Sequence, residues 1–270
     1  MLVSPTRETA MLFPRYALLI LSGIGLCYAG NIVAESRDDT PDKSWQVSAG
    51  AGVLARPDFP GSDSLEVLPM PVFNVTHGDR WFLNADGLGA YLMRRDHSSL
   101  TLSLAPDVTR RDESDSSHLR GLGDVDRTAV ARLKGAYNIG PVTATAAVST
   151  DIADQGHGTV AELTLQSRAD ITQRFSLSYG IAARWIDDEY AESFFGVDLQ
   201  QSQRSGLSQY DAQNGVGDAR LFVNAVYALS PRWIVAAGAA AGQLQGDAKD
   251  SPIVEDDSYF QFDTAVMYRF

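Results

Sequence analysis

The stretch that decides the fold is FQFDTAVMYRF, residues 260–270. Its even positions are Phe260, Phe262, Thr264, Val266, Tyr268 and Phe270, and its odd positions are Gln261, Asp263, Ala265, Met267 and Arg269. One face is apolar and the other largely polar, and a period of two is the signature of a strand, whose side chains alternate across the pleat. Domains commonly finish in a loose polar tail. A strand that closes on Tyr268 and Phe270 needs apolar surroundings instead, and reads as the last strand of a barrel that pairs with the first, leaving no unpaired edge in hydrocarbon.

Working backwards from that strand, the same dyad alternation recurs along the chain from Trp45. It predicts strands over 44–56, 65–76, 80–86, 89–94, 98–110, 128–138, 141–152, 158–170, 174–187, 216–228, 231–244 and 257–270. These make a transmembrane antiparallel up-and-down β-barrel of about twelve strands over residues 44–270, an all-β fold. The connections offer a parity test, because barrels of the outer membrane have short periplasmic turns and long outer loops. HGD after Thr76, RDH after Arg94, NIGP around Gly140, ITQ before Arg174 and SPR after Leu229 fall on one side and are short. PDFPGSDS, DGLG, 111–127, ADQGH, 188–215 and 245–256 fall on the other, and most are long and acidic. Only DGLG is out of scale. Reading 80–94 as one strand would put 111–127 on the periplasmic side, so the break is placed at Gly87; a ten-stranded barrel is the alternative.

Face chemistry agrees with closure. In 174–187 the side with Phe175, Leu177, Tyr179, Ile181, Ala183 and Trp185 faces lipid, while Ser176, Ser178, Gly180, Ala182 and Arg184 face the lumen. Arg132, Lys134, Glu162, Gln166 and Arg168 share the lumenal parity in their strands. An Arg or Lys on the lipid face at the bilayer midplane would cost about 2 to 4 kcal/mol, so these groups point inward. Trp81, Tyr137, Tyr227 and Trp233 beside the short turns, with Trp185 near an outer loop, fit two aromatic girdles.

The front of the chain supplies the compartment. Arg7 and Arg15 precede the apolar run YALLILSGIGLCYAG, which has the dimensions of a signal-peptide core. Residues 1–34 are therefore expected to be a signal peptide cleaved after Ala29 or Ala34, with 35–43 a short periplasmic lead-in. The chain's single cysteine, Cys27, lies in that leader, which leaves the exported part without a disulfide or a cysteine-held metal. A net charge of −12 argues against nucleic acid, which requires clustered Lys and Arg. No run of 18 apolar residues follows the leader, so no membrane helix is expected.

Motifs that could carry chemistry are few. The histidines are His77 and His97 in short turns and His118 and His157 in outer loops. Asp96, His97 and Ser98 are neighbours in sequence, whereas a triad must converge in space, and a periplasmic position is wrong for work on the outer leaflet. The acidic stretch GDVD at 123–126 lacks the spaced ligands and closing Glu of a calcium loop. Acidic outer loops read as a solvated surface bridged to lipopolysaccharide phosphates by divalent ions. The segment 190–218 is too apolar for a frayed loop, holding Phe194, Phe195, Val197, Leu199, Leu207 and Tyr210. It is expected to fold into the barrel mouth as a lid.

Five stretches together, GAGVLARPDFPGSDSLEVLPMPVFNVTHGDRWFLN (50–84), LRGLGDVD (119–126), DDEYAESFFGVDLQQSQRSGLSQYDAQNGVGD (187–218), GDAKDSPIV (246–254) and the closing YRF, resemble the MipA/OmpV family of outer-membrane proteins. The resemblance runs from about Trp45 to Phe270. It implies a non-enzymatic barrel without cofactor or metal, located in the bacterial outer membrane. It also implies a scaffold or adaptor that links a lytic murein transglycosylase to a bifunctional murein synthase; a porin-like channel and a surface adhesin are the alternatives. Arg120, Gly121, Gly123, Asp124, Phe195, Gly196, Arg204, Gly206 and Tyr210 match the family's motifs, and the topology puts them at the outer mouth, where holding loops together is their expected role. The last strand, with Tyr268 and Phe270, resembles the signal read by the outer-membrane assembly machinery. The remaining contacts expected are outer-membrane lipid and lipopolysaccharide.

Overall fold

Residues 45–78 and 80–270 are described by a computed structural model. The expected signal peptide 1–34 with Cys27, both cleavage positions, the lead-in 35–43, and Asp79 of the first short turn lie outside the described residues. Twelve antiparallel strands form a closed barrel in which each strand pairs with its neighbours in sequence and β1 pairs with β12. The strands are β1 (Trp45–Pro57), β2 (Leu65–His77), β3 (Trp81–Asn84), β4 (Gly87–Arg95), β5 (Ser98–Asp107), β6 (Thr128–Ile139), β7 (Val142–Asp151), β8 (Thr159–Asp170), β9 (Phe175–Ile186), β10 (Gly215–Ala228), β11 (Trp233–Leu244) and β12 (Ser258–Arg269). Among the described residues three short α-helices, α1 (Asp188–Phe195), α2 (Leu199–Ser205) and α3 (Gly246–Asp250), lie in the long loops.

Closure uses the opening stretch. The register runs from Ser48 opposite Arg269 to Ala55 opposite Phe262, and the Phe270 amide donates to the Val47 carbonyl at 3.0 Å. Phe260, Phe262 and Val266 are exposed on the outer wall, whereas Gln261, Asp263, Ala265 and Met267 are buried toward the lumen. The same split holds on β9, where Tyr179, Ile181 and Trp185 are exposed and Ser176 and Ala182 are buried. A wall of exposed Leu, Ile, Val and Phe side chains on a closed sheet is the surface a bilayer covers. Exposed Trp45, Trp81, Tyr137, Tyr227 and Trp233 ring the end that carries the short turns, which is the periplasmic end. No helix among the described residues is long and apolar enough to cross a membrane.

Two expectations are corrected. The strand expected over 98–110 ends at Asp107, where the Asp107 carboxylate accepts from the Thr109 amide and hydroxyl and turns the chain out of the wall. The strand expected over 80–86 is only the four residues of β3, and its partner begins at Gly87 rather than 89. The reason is local: Asn84 Oδ1 accepts from the Asp86 amide, and Gly87 takes φ +94°, so the chain reverses over Ala85 and Asp86. Because β3 pairs with β2 only over Val75–His77, this turn sits well below the outer rim instead of forming an outer loop. Above it, among the described residues, no strand pairs with β2 on the side away from β1, and β2 carries Pro69 and Pro71 there, residues with no N–H to leave unpaired.

Candidate functional site

Alternation drives charged side chains into the barrel, and register decides which of them meet. Glu162 stands opposite Arg184 across β8 and β9, and Arg184 opposite Asp218 across β9 and β10. A bulge between Val216 and Asp218 shifts parity, so that Val216 faces out while Asp218 turns inward. Asp218 is fully buried and accepts from Arg184 Nε at 2.5 Å, from Arg220 Nη1 at 3.2 Å and from the Tyr259 hydroxyl at 2.9 Å. The Arg220 guanidinium also pairs with Glu162. A second group forms where the short β3–β4 turn sends Asp86 inward to Lys134 and, at 3.5 Å, to Arg132, whose Nε donates to Ser149. Arg132, Lys134, Glu162 and Arg184 were legible from alternation. Asp86, Asp218, Arg220 and Tyr259 were missed, although Asp218, Arg220 and Asn224 carry the same alternation along β10.

Above this layer the outer loops build a lid. Asp187 caps α1 by accepting from the Tyr190 amide, and α2 opens with a reciprocal capping box between Asp198 and Gln201. Phe194 is buried between the stacked Tyr190 ring, centroids 4.5 Å apart, and the edge-on His157 ring at 5.1 Å. Phe195, Ala191, Ala212 and Ala248 belong to the same apolar cluster. Phe59, Leu119, Leu122, Val197 and Ile253 form a second one, with Leu207 and Tyr210 against it. Leu199, counted among the apolar residues of the expected lid, is exposed at the start of α2. Cross-loop hydrogen bonds tie the pieces together: Arg111 Nη1 to the Phe194 carbonyl at 3.2 Å, Ser251 Oγ to the Phe195 carbonyl at 2.6 Å, and Gln201 Nε2 to the Leu122 carbonyl at 2.6 Å. Burial pulls the Arg111 guanidinium down to about 10, so it stays charged at neutral pH.

The family-motif positions fall within this lid. Arg120 follows the 3-10 turn Ser117–Leu119 and is exposed. Gly121 has φ +89°, and a Cβ there would lie 2.8 Å from the Arg204 backbone, so two loops touch where only glycine fits. The Gly123 amide donates to Glu113, and Asp124 Oδ1 accepts from the Glu113 amide at 2.8 Å. Gly196 ends α1, its amide donating to the Glu192 carbonyl. Arg204 stands in the last turn of α2, and Gly206 caps that helix in the left-handed region. Tyr210 exchanges backbone hydrogen bonds with Val197 and donates its hydroxyl to the Asp247 carbonyl at 2.9 Å. Asp96 and His97 form the exposed turn before β5. His77 stacks on Trp45 at 4.4 Å, and His118 contacts the Pro252 carbonyl at 2.8 Å.

His157 is the one deeply buried histidine, 2% exposed. Its Nε2 lies 2.8 Å from the Asp126 carbonyl and its Nδ1 3.5 Å from Asp107 Oδ2. Burial opposes charging the ring, but Asp107, the Asp126 carbonyl and Asp151 outweigh it, and the pKa is raised above the ordinary 6.5. A raised folded-state pKa contributes stability that is complete below the unfolded value and is lost as pH rises through the folded value. Protease protection of the lid is therefore expected to fall between about pH 6.5 and the folded pKa, and His157→Gln should flatten that slope. An unchanged slope in the variant would show that another group titrates.

Below the lid the lumen holds a cavity of about 1170 Å³ along the inner wall from Ser99 near the periplasmic end, past Ala136, Thr145, Thr164 and Ala182, to Arg220. On the other side the lower lumen is filled by Val72, Phe222, Ile234 and Met267.

A family model described as MltA-interacting protein MipA matches residues 49–270. The MltA-interacting protein of Escherichia coli (strain K12) is 27% identical over 228 residues, covering 84% of this chain and 90% of its own length. A protein of the same strain, YiaT, whose name places it in the outer membrane, is 25% identical over 226 residues, covering 83% and 90%. Among solved structures the NanC porin aligns over 84% of this chain and 100% of its own, at 9% identity and a TM-score of 0.41.

Proposed function

This chain belongs to the MltA-interacting protein MipA family, and on that premise we propose that it is a non-enzymatic outer-membrane barrel that scaffolds murein synthesis and turnover enzymes from its periplasmic side. The observation that carries the reading is the packed lid, whose two apolar clusters lie over the outer mouth and so favour an adaptor over a diffusion pore. The name of the 27% identical relative supports a murein transglycosylase as one partner; a bifunctional murein synthase is the second. The motif residues Gly121, Gly123, Asp124, Gly196, Gly206 and Tyr210 then serve to keep the lid shut. Acidic outer loops meet lipopolysaccharide through divalent ions, and the strand ending in Tyr268 and Phe270 is what the assembly machinery reads. The test is chemical crosslinking in the native envelope followed by purification of the barrel. Recovery of a murein transglycosylase or synthase supports the scaffold, and its absence under crosslinking that captures other envelope pairs overturns it.

The lumenal cavity favours a second reading, a gated channel. The intact barrel is expected to be electrically silent in planar bilayers, because the lid packs two apolar clusters over the lumen. Current steps from the intact protein would overturn the closed-lid argument, and silence after deletion of 190–214 would remove the channel reading.

A further inference from the structure

The chain is acidic overall, yet the short turns at the periplasmic end of its barrel are basic. Arg80, Arg94, Arg95, Arg168, Arg174 and Arg232 are all exposed there, on the short turns or the strand residues leading into them. The acidic side chains at this end among the described residues are Asp96 and Asp170; in sequence, Asp79 of the first turn and, with Arg37 and Lys43, Glu35, Asp38, Asp39 and Asp42 of the expected lead-in belong to the same side. Arg168 Nε donates to Asp170 at 3.0 Å. At the opposite end the loops carry runs such as Asp187, Asp188 and Glu189, or Glu255, Asp256 and Asp257. Among the described residues no lysine lies at the periplasmic end: Lys134 is in the lumen and Lys249 is paired with Asp257 at 2.8 Å in the outer loops. The arginines also have a fixed place relative to the bilayer. Arg80, Arg174 and Arg232 each directly precede an aromatic, Trp81, Phe175 and Trp233, and both tryptophans are exposed in the interfacial girdle. Each guanidinium therefore starts one residue farther from the hydrocarbon than its anchor.

We propose that this periplasmic rim is a docking surface for a polymer bearing spaced carboxylates, and that the polymer is the murein layer itself. Naming murein rests on the function proposed above; the charge complementarity does not. A guanidinium binds a carboxylate through two parallel hydrogen bonds, which a lysine ammonium cannot do. The turns are two to four residues long, 96–97 and 171–174 for example, and present no groove or apolar core. A folded partner with roughly 800 Å² per side would have to engage several of these turns together, or bind weakly. Point charges spread around an annulus instead suit a repeating polyanion, where weak contacts add through multivalency. An anionic lipid headgroup layer is the competing occupant, and the girdle position makes it a direct control.

The experiment is co-sedimentation of the detergent-solubilised barrel with purified murein sacculi, in parallel with flotation on phosphatidylethanolamine vesicles with and without phosphatidylglycerol. The variant is R80Q/R94Q/R95Q/R174Q/R232Q, with folding checked by the heat-dependent gel mobility of a closed barrel. The intact protein is expected to sediment with sacculi and to be released as salt shortens the Debye length below about 8 Å. The variant and carbodiimide-amidated sacculi should each lower binding by about tenfold, and lysine at the same five positions should restore only part of it. Binding unchanged in the variant, no sedimentation by the intact barrel, or an arginine-dependent preference for phosphatidylglycerol vesicles without sacculus binding would each overturn the proposal. The assay contains no enzyme, so its failure leaves the crosslinking test of the scaffold standing, and the reverse holds as well.

Discussion

Replacing Asp218 with alanine is expected to destabilise the folded barrel by about 3 to 5 kcal/mol, the range seen when one member of a buried ion pair is removed. Asp218 is fully buried and is the shared acceptor for Arg184, Arg220 and the Tyr259 hydroxyl. Its loss leaves Arg184 without the carboxylate it bonds at 2.5 Å, while Arg220 keeps Glu162. The cost therefore comes mainly from one stranded guanidinium and one stranded hydroxyl. Asp218→Asn keeps an acceptor for Tyr259 but removes the charge, and should fall between alanine and the parent. Arg184→Met combined with Asp218→Ala should cost less than the sum of the two single changes, since the stranded charge leaves with its partner. Denaturant unfolding of the refolded barrel, followed by tryptophan fluorescence, measures each of these. A Asp218→Ala midpoint within about 1 kcal/mol of the parent would mean that water already reaches this layer and screens it.

The barrel was legible because its signal is local: alternation at period two, repeated at short intervals and punctuated by turn residues, needs no knowledge of tertiary contacts. Face assignment followed from the same periodicity, which is why Arg132, Lys134, Glu162 and Arg184 could be placed in the lumen before any pairing was known. What alternation cannot supply is register across distant strands. Arg220 meets Glu162 from 58 positions away, and the bulge that turns Val216 outward while Asp218 keeps the inward parity of Arg220 and Asn224 is announced by nothing beyond Gly217. The β3–β4 hairpin was misjudged for a related reason. A four-residue strand carries too few positions to display a period, and the decisive element was an Asn84 side chain closing the turn one step earlier than Gly87 suggested. In the lid, apolar content was readable while helical structure was not inferred, although the Asp198–Gln201 spacing is a legible capping box. His157 gave no sequence signal of its burial. Its place depends on Phe194 arriving from a different loop.

That arrival makes Phe194→Ala the most damaging change expected in the lid. The ring is fully buried, stacked on Tyr190 and set against the edge of His157, and its own carbonyl accepts from Arg111. Truncating a buried phenylalanine costs about 3 to 5 kcal/mol through lost transfer energy and the cavity left behind. The strands have their own hydrogen-bonded wall, so the loss is expected to appear as local opening rather than as a shift in barrel unfolding. Amides of α1 and of the Val197–Tyr210 bridge should exchange about two to three orders of magnitude faster, taking 1.4 kcal/mol per tenfold. Those of β6 to β9 should keep their rates. Phe194→Leu fills most of the space and should lose far less. Hydrogen exchange read by mass spectrometry separates the segments. Equal acceleration in lid and wall would show that the two unfold as one unit, whereas no acceleration in the lid would show that the second cluster around Phe59 and Ile253 holds it shut alone.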